Sequence, residues 1–427
     1  MNRRLFLIAS AFALALAACG GAQPTTAPKA EEPKPAAPTE APKAAAPTEA
    51  PKAAAPTEAP KQEAPAPTEA PKAEAPKAAE IDKSKLAKEL NIYTWDGYFD
   101  QAVLDDFEKE IGVKVNIETY DANETMYNKF KAGGNPGYDI VVPSDYMVEI
   151  MAREGMLEKL DYANIPNVAN IDAGHRGLYF DPNNEYTIAH NWGTTGIAYD
   201  SEKLEIKSWK DVFDPNDDLK KKLECNDKGE GCRIGLLDDP RETIGAALRY
   251  LGYSGSTTNL DEVKKATELL ASKKAQFSGI NTSSDFKGLL AKGEVLAAMM
   301  YGNDAVYASK DKPSIKYVIP EGVTSIWQDN VCIPKGGKSK YTAEVFINWL
   351  LKPEVAAKNA NALGLSMSNA AAAKAGLIDA KLLADKNIYP DDIAGKVKAK
   401  QLEWLFRFGD DKVTAAYDEA YTATLAK

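Results

Sequence analysis

Leu90-Asn91-Ile92-Tyr93-Thr94-Trp95-Asp96-Gly97-Tyr98 opens the region whose reading decides the fold. Residues 90–93 read as a strand. Residues 101–111 follow as a helix, with Val103, Leu104, Phe107 and Ile111 apolar at helical spacing. Residues 113–118 form a second strand, 124–132 a second helix closed by Gly133-Gly134, and 138–142 a third strand stopped by Pro143. This alternation predicts an α/β fold with mainly parallel sheets. Further strands are expected at 186–190, 295–300, 315–319 and 330–333, and helices at 342–351 and 353–363. The folded part runs from about residue 86 to Lys427, roughly 340 residues, which exceeds what one core usually organises and predicts two lobes.

N-terminal to that region the chain does not read as globular. Met1-Asn2-Arg3-Arg4 is a charged start. The apolar run that follows it to Ala17 is too short for a stable membrane span. It ends in Leu16-Ala17-Ala18-Cys19-Gly20, a bacterial lipobox, so residues 1–18 are expected to be a lipoprotein signal peptide and Cys19 the lipidated residue. Two or three acyl chains there would give a stable anchor. Residues 19–85 then form a tether rich in Ala, Pro, Thr, Glu and Lys. The block Ala-Pro-Thr-Glu-Ala-Pro-Lys-Ala recurs there, with prolines at Pro38, Pro47, Pro56 and Pro67. Such a segment cannot bury enough apolar surface to offset its ordering entropy, and its prolines favour an extended spacer. The expected location is the outer face of the cytoplasmic membrane, with the membrane touched only through the anchor.

The formal charge of −10 argues against nucleic-acid binding and weakly favours a cationic ligand. Cys225 and Cys232 flank the turn-rich Asn-Asp-Lys-Gly-Glu-Gly and are expected to pair, because an exported protein can keep disulfides and two cysteines at this spacing make a poor metal site. Cys332 reads as a buried core thiol. His175 and His190 are the only histidines, and His190 sits among apolar neighbours. No metal site and no cofactor are expected.

In open α/β sheets ligands bind beyond the carboxyl ends of the strands. Five segments at strand ends carry aromatic residues, carboxylates or both: Trp95, Asp96 and Tyr98; Ser144 and Tyr146; Asp239 and Glu242; Tyr301 and Asp304; Trp327 and Asp329. A linear polyamine is a methylene chain bearing ammonium groups. Aromatic faces pack on the methylenes and attract the cations, and carboxylates accept from the ammonium ends. An anion site would instead present arginine or helix N-termini. Arg241 is the one basic residue in these segments and reads as a structural partner of a carboxylate, or as exposed. Each residue also has a plainer role. Trp95 and Trp327 could be core aromatics. Asp239 with Pro240 fits a helix cap and Glu242 a first-turn acid. Asp304 could cap a helix, and Asp96 could be a turn residue before Gly97.

Trp95-Asp96-Gly97-Tyr98, the run from Tyr120 to Tyr127, Tyr138-Asp139-Ile140-Val141-Val142-Pro143-Ser144, Trp192-Gly193-Thr194-Thr195-Gly196-Ile197, Asp238 to Glu242 and Leu251-Gly252-Tyr253-Ser254-Gly255 together resemble the bacterial spermidine/putrescine-binding proteins of ABC transporters, in order, from about residue 90 to the C-terminus. The resemblance implies a two-lobed type II periplasmic-binding-protein fold with the ligand between lobes and two hinge crossings, near Gly193-Thr194 and Trp327-Gln328. Lobe 1 would comprise residues 86–193 and 328–373, and lobe 2 residues 194–327 and 374–427. It implies a monomer that hands its ligand to an ABC permease with its ATPase and is not an enzyme. It also implies ligand contacts from Trp95, Tyr98, Ser144, Tyr146, Asp239, Glu242, Trp327 and Asp329. Tyr301 stands where the family usually has tryptophan, and Asp304 resembles an acid of putrescine-preferring members. Gly97 replaces an acidic or polar family residue while Asp96 supplies an acid one place earlier. Leu365 and Leu405 replace polar residues of spermidine-preferring members.

Other readings stay open at this point: a binding protein of the same fold for another cationic solute, a polyamine sensor without transport, and a surface enzyme. Against the last, the chain has no Gly-x-Ser-x-Gly, His-Glu-x-x-His or phosphate-loop motif.

Overall fold

The alternation at residues 90–142 forms β1 (Glu89–Trp95), α1 (Gln101–Ile111), β2 (Lys114–Tyr120), α2 (Asn123–Gly133) and β3 (Ile140–Val141), with α3 (Asp145–Arg153) after it. The computed structural model describes residues 80–404 and 411–424. The signal segment, Cys19, the repeats up to residue 79 and Leu405 lie outside the described residues. α1 is bounded as its composition dictates. Asp100 accepts from the Ala102 N–H at its start, and Gly112 ends it in the left-handed conformation at φ 84°. Val103, Leu104 and Phe107 turn inward onto Leu90 and Ile92 of β1. β1 pairs in parallel with both β2 and β3.

The long strand β4 (Thr187–Asp200) follows, then short helices α4 (Trp209–Phe213) and α5 (Asp217–Lys222). A second βα alternation comes next: β5 (Cys232–Leu237), α6 (Pro240–Tyr250), α7 (Leu260–Lys273), β6 (Phe277–Asn281), α8 (Ser283–Lys292), β7 (Ala297–Tyr301), α9 (Gly302–Asp311) and β8 (Ile315–Val318). The chain returns through β9 (Thr324–Cys332) to α10 (Lys340–Leu350), α11 (Pro353–Leu363), β10 (Ser366–Met367) and β11 (Leu402–Trp404), with a last helix over Asp411–Thr424. Strand order is β2-β1-β3-β9-β4-β7-β5-β6. The two flanks are parallel, and the antiparallel pairs all involve β4 or β9. The fold is α/β with largely parallel flanking sheets, as the alternation predicts.

Two strands are longer than the sequence pattern indicates. β4 runs ten residues beyond the expected end at His190, and β9 starts at Thr324 rather than Asn330. Gly193 lies inside β4 and is a close-approach residue. A Cβ there would lie 2.5 Å from Cζ2 of Trp327 across the ladder, and one at Gly196 would lie 2.4 Å from the Val318 carbonyl. His190 sits at a register shift between Ala189 and Asn191. The N-terminal part of β4 pairs with β9, and its C-terminal part pairs with β7 and β8. β4 and β9 therefore join the two flanks. Conversely, β3 shrinks to two residues, because Asp139 turns its carboxylate onto the Asn91 and Ser339 N–H groups.

Cys225 and Cys232 are bonded, with Cα atoms 4.0 Å apart, and the bond ties the loop after α5 to the start of β5. Cys332 is a buried free thiol whose ionisation burial pushes well up. Among the described residues no helix is long and apolar enough to cross a membrane, and no group of residues is placed to hold a metal ion.

Candidate functional site

β1, β3, β5, β7 and β9 all deliver residues to one cleft of about 180 Å³. Ten of the eleven candidate ligand residues line it: Trp95, Asp96, Tyr98, Ser144, Tyr146, Asp239, Tyr301, Asp304, Trp327 and Asp329.

Asp329 lies at its base, on β9, 2% exposed. Ser144 follows β3 and bridges to Asp329, donating its hydroxyl to Oδ1 at 2.6 Å, while the Tyr98 hydroxyl donates to Oδ2. Burial raises the Asp329 carboxyl to about 6, against these two donors, which lower it. Among the described residues no cation pairs with it, and its carboxylate is held by these two hydroxyls.

The walls are aromatic. Trp95 donates Nε1–H to the Val142 carbonyl at 3.0 Å and packs on Tyr120 at 4.7 Å between centroids. Trp327 meets Tyr301 edge-on at 5.6 Å, and its own Nε1–H has no hydrogen-bond partner among the described residues. The Tyr301 hydroxyl donates to Asp239 Oδ2 at 3.0 Å. Asp239 also caps α6, its Oδ1 accepting from the N–H groups of Arg241 and Glu242 with Pro240 in the first turn. The structural and cleft-facing roles thus coexist in one carboxylate, one oxygen each. Burial raises its carboxyl above the usual range, opposed by the Glu242 N–H.

Glu242 does not line the cleft. Three residues on from Asp239, it points back into the protein, 1% exposed, and accepts from Thr195 Oγ1 at 2.5 Å on β4 and from Ser325 Oγ at 2.6 Å on β9. Burial raises it to about 7, opposed by the Arg249 charge. Its expected contact with a ligand from the second lobe is therefore corrected to a buried link between α6 and the two long strands. Arg241, left open between pairing and exposure, is buried and paired. Its guanidinium reaches Glu124 of α2 at 3.1 Å and lies 4.6 Å over the Tyr146 ring. Asp304 does not cap α9. It sits in that helix's first turn, and Tyr301 is the cap residue. Leu365 is buried in a small apolar cluster with Ala360, Leu363 and Met367 and is not on the cleft wall. His190 is buried against Phe99, and burial lowers it to about 4, so it is neutral at physiological pH.

The cleft holds residues not singled out beforehand. Asn123 begins α2 and ties the wall together. Its Nδ2 donates to Ser144 Oγ and to the Tyr146 hydroxyl at 3.0 Å each, and its Oδ1 accepts from the Ser144 N–H. Its signal was the motif from Tyr120 to Tyr127. Asp121 and Asn303 also line the cleft, and so does Lys287 of α8, the one cation among its lining residues, set against Asp96, Asp121, Asp239, Asp304 and Asp329. A base of hydroxyl-held carboxylate, indole and phenol walls, and a marked excess of acid suits a small amphipathic cation.

The bacterial extracellular solute-binding protein family model matches residues 102–424, and the chain belongs to that family. It is a solute-binding protein, and the family is not one of enzymes. The spermidine/putrescine-binding periplasmic protein of Salmonella typhimurium is 35% identical over 335 residues, spanning 78% of this chain and 90% of that one. The putrescine-binding periplasmic protein SpuD of Pseudomonas aeruginosa is 34% identical, spanning 71% and 84%. Among solved structures, the spermidine/putrescine ABC transporter substrate-binding protein PotD of Streptococcus pneumoniae superposes with a TM-score of 0.66 at 31% identity, covering 79% of this chain and 98% of that one.

Proposed function

We propose that this chain captures a polyamine, putrescine or spermidine, and delivers it to an ABC permease with its ATPase. The observation that carries the reading is Asp329: a carboxylate at the base of an aromatic cleft, held only by hydroxyls, which leaves it able to accept from a ligand ammonium. The relatives' names point the same way. Trp95, Tyr98, Trp327 and Tyr301 pack on the methylenes. Asp329 and Asp239 take ammonium groups, and Ser144 and Tyr146 support them. The residues on the two sides of the cleft belong to two lobes, 86–193 with 328–373 and 194–327 with 374–427. β4 and β9 form the hinge, where their pairing passes from one flank to the other. Closure is a rotation about those strands. The lipobox at Leu16–Cys19 anchors the mature protein to the outer face of the cytoplasmic membrane through Cys19, and the Pro-rich tether carries the binding unit, a monomer, away from it. A similar fold occurs in a PotD lipoprotein of Treponema pallidum, at 27% identity and a TM-score of 0.66. Calorimetric titration of the purified protein, stripped of carried ligand, with putrescine and with spermidine tests the reading. Binding at micromolar or lower concentration supports it, and no heat with either rules it out.

A further inference from the structure

Arg241 and Glu124 join the two flanks of the sheet beside the cleft. Arg241 lies in the first turn of α6, which follows β5 in one flank, and Glu124 lies in the first turn of α2, which follows β2 in the other. Nε and Nη2 of Arg241 donate to Glu124 Oε1 at 3.3 and 3.1 Å, and the guanidinium lies 4.6 Å over the Tyr146 ring. The Tyr146 hydroxyl donates to that same Glu124 oxygen at 3.1 Å. Arg241 is 3% exposed. On its own flank, Asp418 of the last helix stands farther off, 4.0 Å from Nη2. Neither Glu124 nor Arg241 lines the cleft, but both adjoin residues that do. Tyr146 is one. Asp239 is the other: its Oδ1 accepts from the Arg241 N–H at 2.9 Å, and its Oδ2 accepts from Tyr301.

We infer that Glu124 and Arg241 are positioning residues that act as a latch: without touching the amine, the pair holds the two sides of the cleft together around it and sets how fast it leaves. The inference rests on the two-lobed polyamine reading. A guanidinium cannot shed its charge to escape burial. Shut between the flanks it needs a carboxylate, and Glu124 supplies one. When the flanks part, Glu124 and Tyr146 leave with one side, and Asp418 and water receive the guanidinium on the other. The closed arrangement gains the shorter charge-assisted contacts and the aromatic face. The open one regains hydration. The two gains offset each other, which suits a contact that must also break. A ligand held in the closed state binds more weakly by the factor by which that state is disfavoured, whatever the ligand. Loss of the latch therefore acts alike on every amine the cleft accepts.

Calorimetric titration with putrescine and spermidine, and stopped-flow release followed by tryptophan fluorescence, test this on the purified protein as wild type, Glu124→Gln, Arg241→Met and the double variant. Each single change is expected to weaken binding by about tenfold, the worth of a hydrogen bond to a charged group, by the same factor for both amines and through faster release. The double variant is expected to lose no more than the worse single variant, because either change opens the latch. The ligand-free melting temperature is expected to hold in Glu124→Gln, because only the closed state loses contacts. Two different replacements guard against a folding defect peculiar to one. Wild-type affinity and release in both single variants overturn the inference and leave the polyamine reading standing. So does a shifted spermidine-to-putrescine ratio, the mark of a ligand contact, or a ligand-free melting temperature that falls in both, the mark of an ordinary structural ion pair. Absence of binding of either amine to wild type overturns both.

Discussion

Asp329 and Glu242 are built alike and sit in different worlds. Each is a carboxylate almost wholly removed from solvent, each accepts from two hydroxyls, and burial raises each. Asp329 takes its donors from Tyr98 and Ser144 and opens onto the cleft. Glu242 takes its donors from Thr195 and Ser325 and is sealed between α6 and the long strands. The difference shows that a buried acid marks a ligand site only when it faces a cavity. Otherwise the same construction is a strut, and its burial is a standing cost.

The comparison breaks most sharply at Asp329. Asp329→Ala should remove diamine binding while leaving the melting temperature close to wild type, because the ligand cation loses its counter-charge, an effect of about 2–5 kcal/mol in affinity. Calorimetry with a parallel melt reads it, and unchanged affinity would take Asp329 out of the site. Glu242→Gln should do the opposite. The folded carboxyl titrates near 7 against an ordinary 4.5. Between those values the folded state therefore holds the extra proton, and stability from this group falls as pH rises. Replacement by the neutral amide should raise unfolding free energy at pH 8 by up to about 3 kcal/mol and make no difference at pH 4. Denaturant unfolding at the two pH values measures this, and a variant less stable at pH 8 would contradict it.

Smaller effects sharpen the contrast. Gly193→Ala places a methyl against the Trp327 ring and should cost about 1–3 kcal/mol of stability while weakening binding, since the ring forms a cleft wall. An unfolding curve paired with a titration checks both. Wild-type affinity should fall about tenfold from pH 7 to pH 5, because Asp329, raised to about 6, gains a proton and loses its charge. In Asp329→Asn that dependence should flatten, and a persistent slope would assign it to another acid.

Much of this was legible in the sequence, for identifiable reasons. The βα alternation from Leu90 onward is carried by apolar spacing, and the exact bounds of α1 and α11 follow from Asp100, Gly112, Pro353 and Gly364. The aromatic and acidic strand ends converge because parallel strands present their carboxyl ends on one side. What was not legible depended on partners distant in sequence. Nothing near Gly193 in the sequence signals that Trp327 packs against it across the ladder. Asp239 and Glu242 sit three residues apart on one helical turn, and only the packing of α6 against β4 and β9 decides which faces the cleft. Lys287 was not singled out in the sequence, because nothing near it signals that α9 brings Asp304 beside it.

The central claim is that the cleft above Asp329 is a polyamine site. Competition calorimetry of putrescine, spermidine and a neutral diol of putrescine's length against the ligand-free protein tests it most directly. The account expects saturable one-to-one binding of at least one amine, none of the diol, and loss of the amine signal in Asp329→Ala. Equal binding of diol and amine, or amine binding that survives Asp329→Ala, would contradict it.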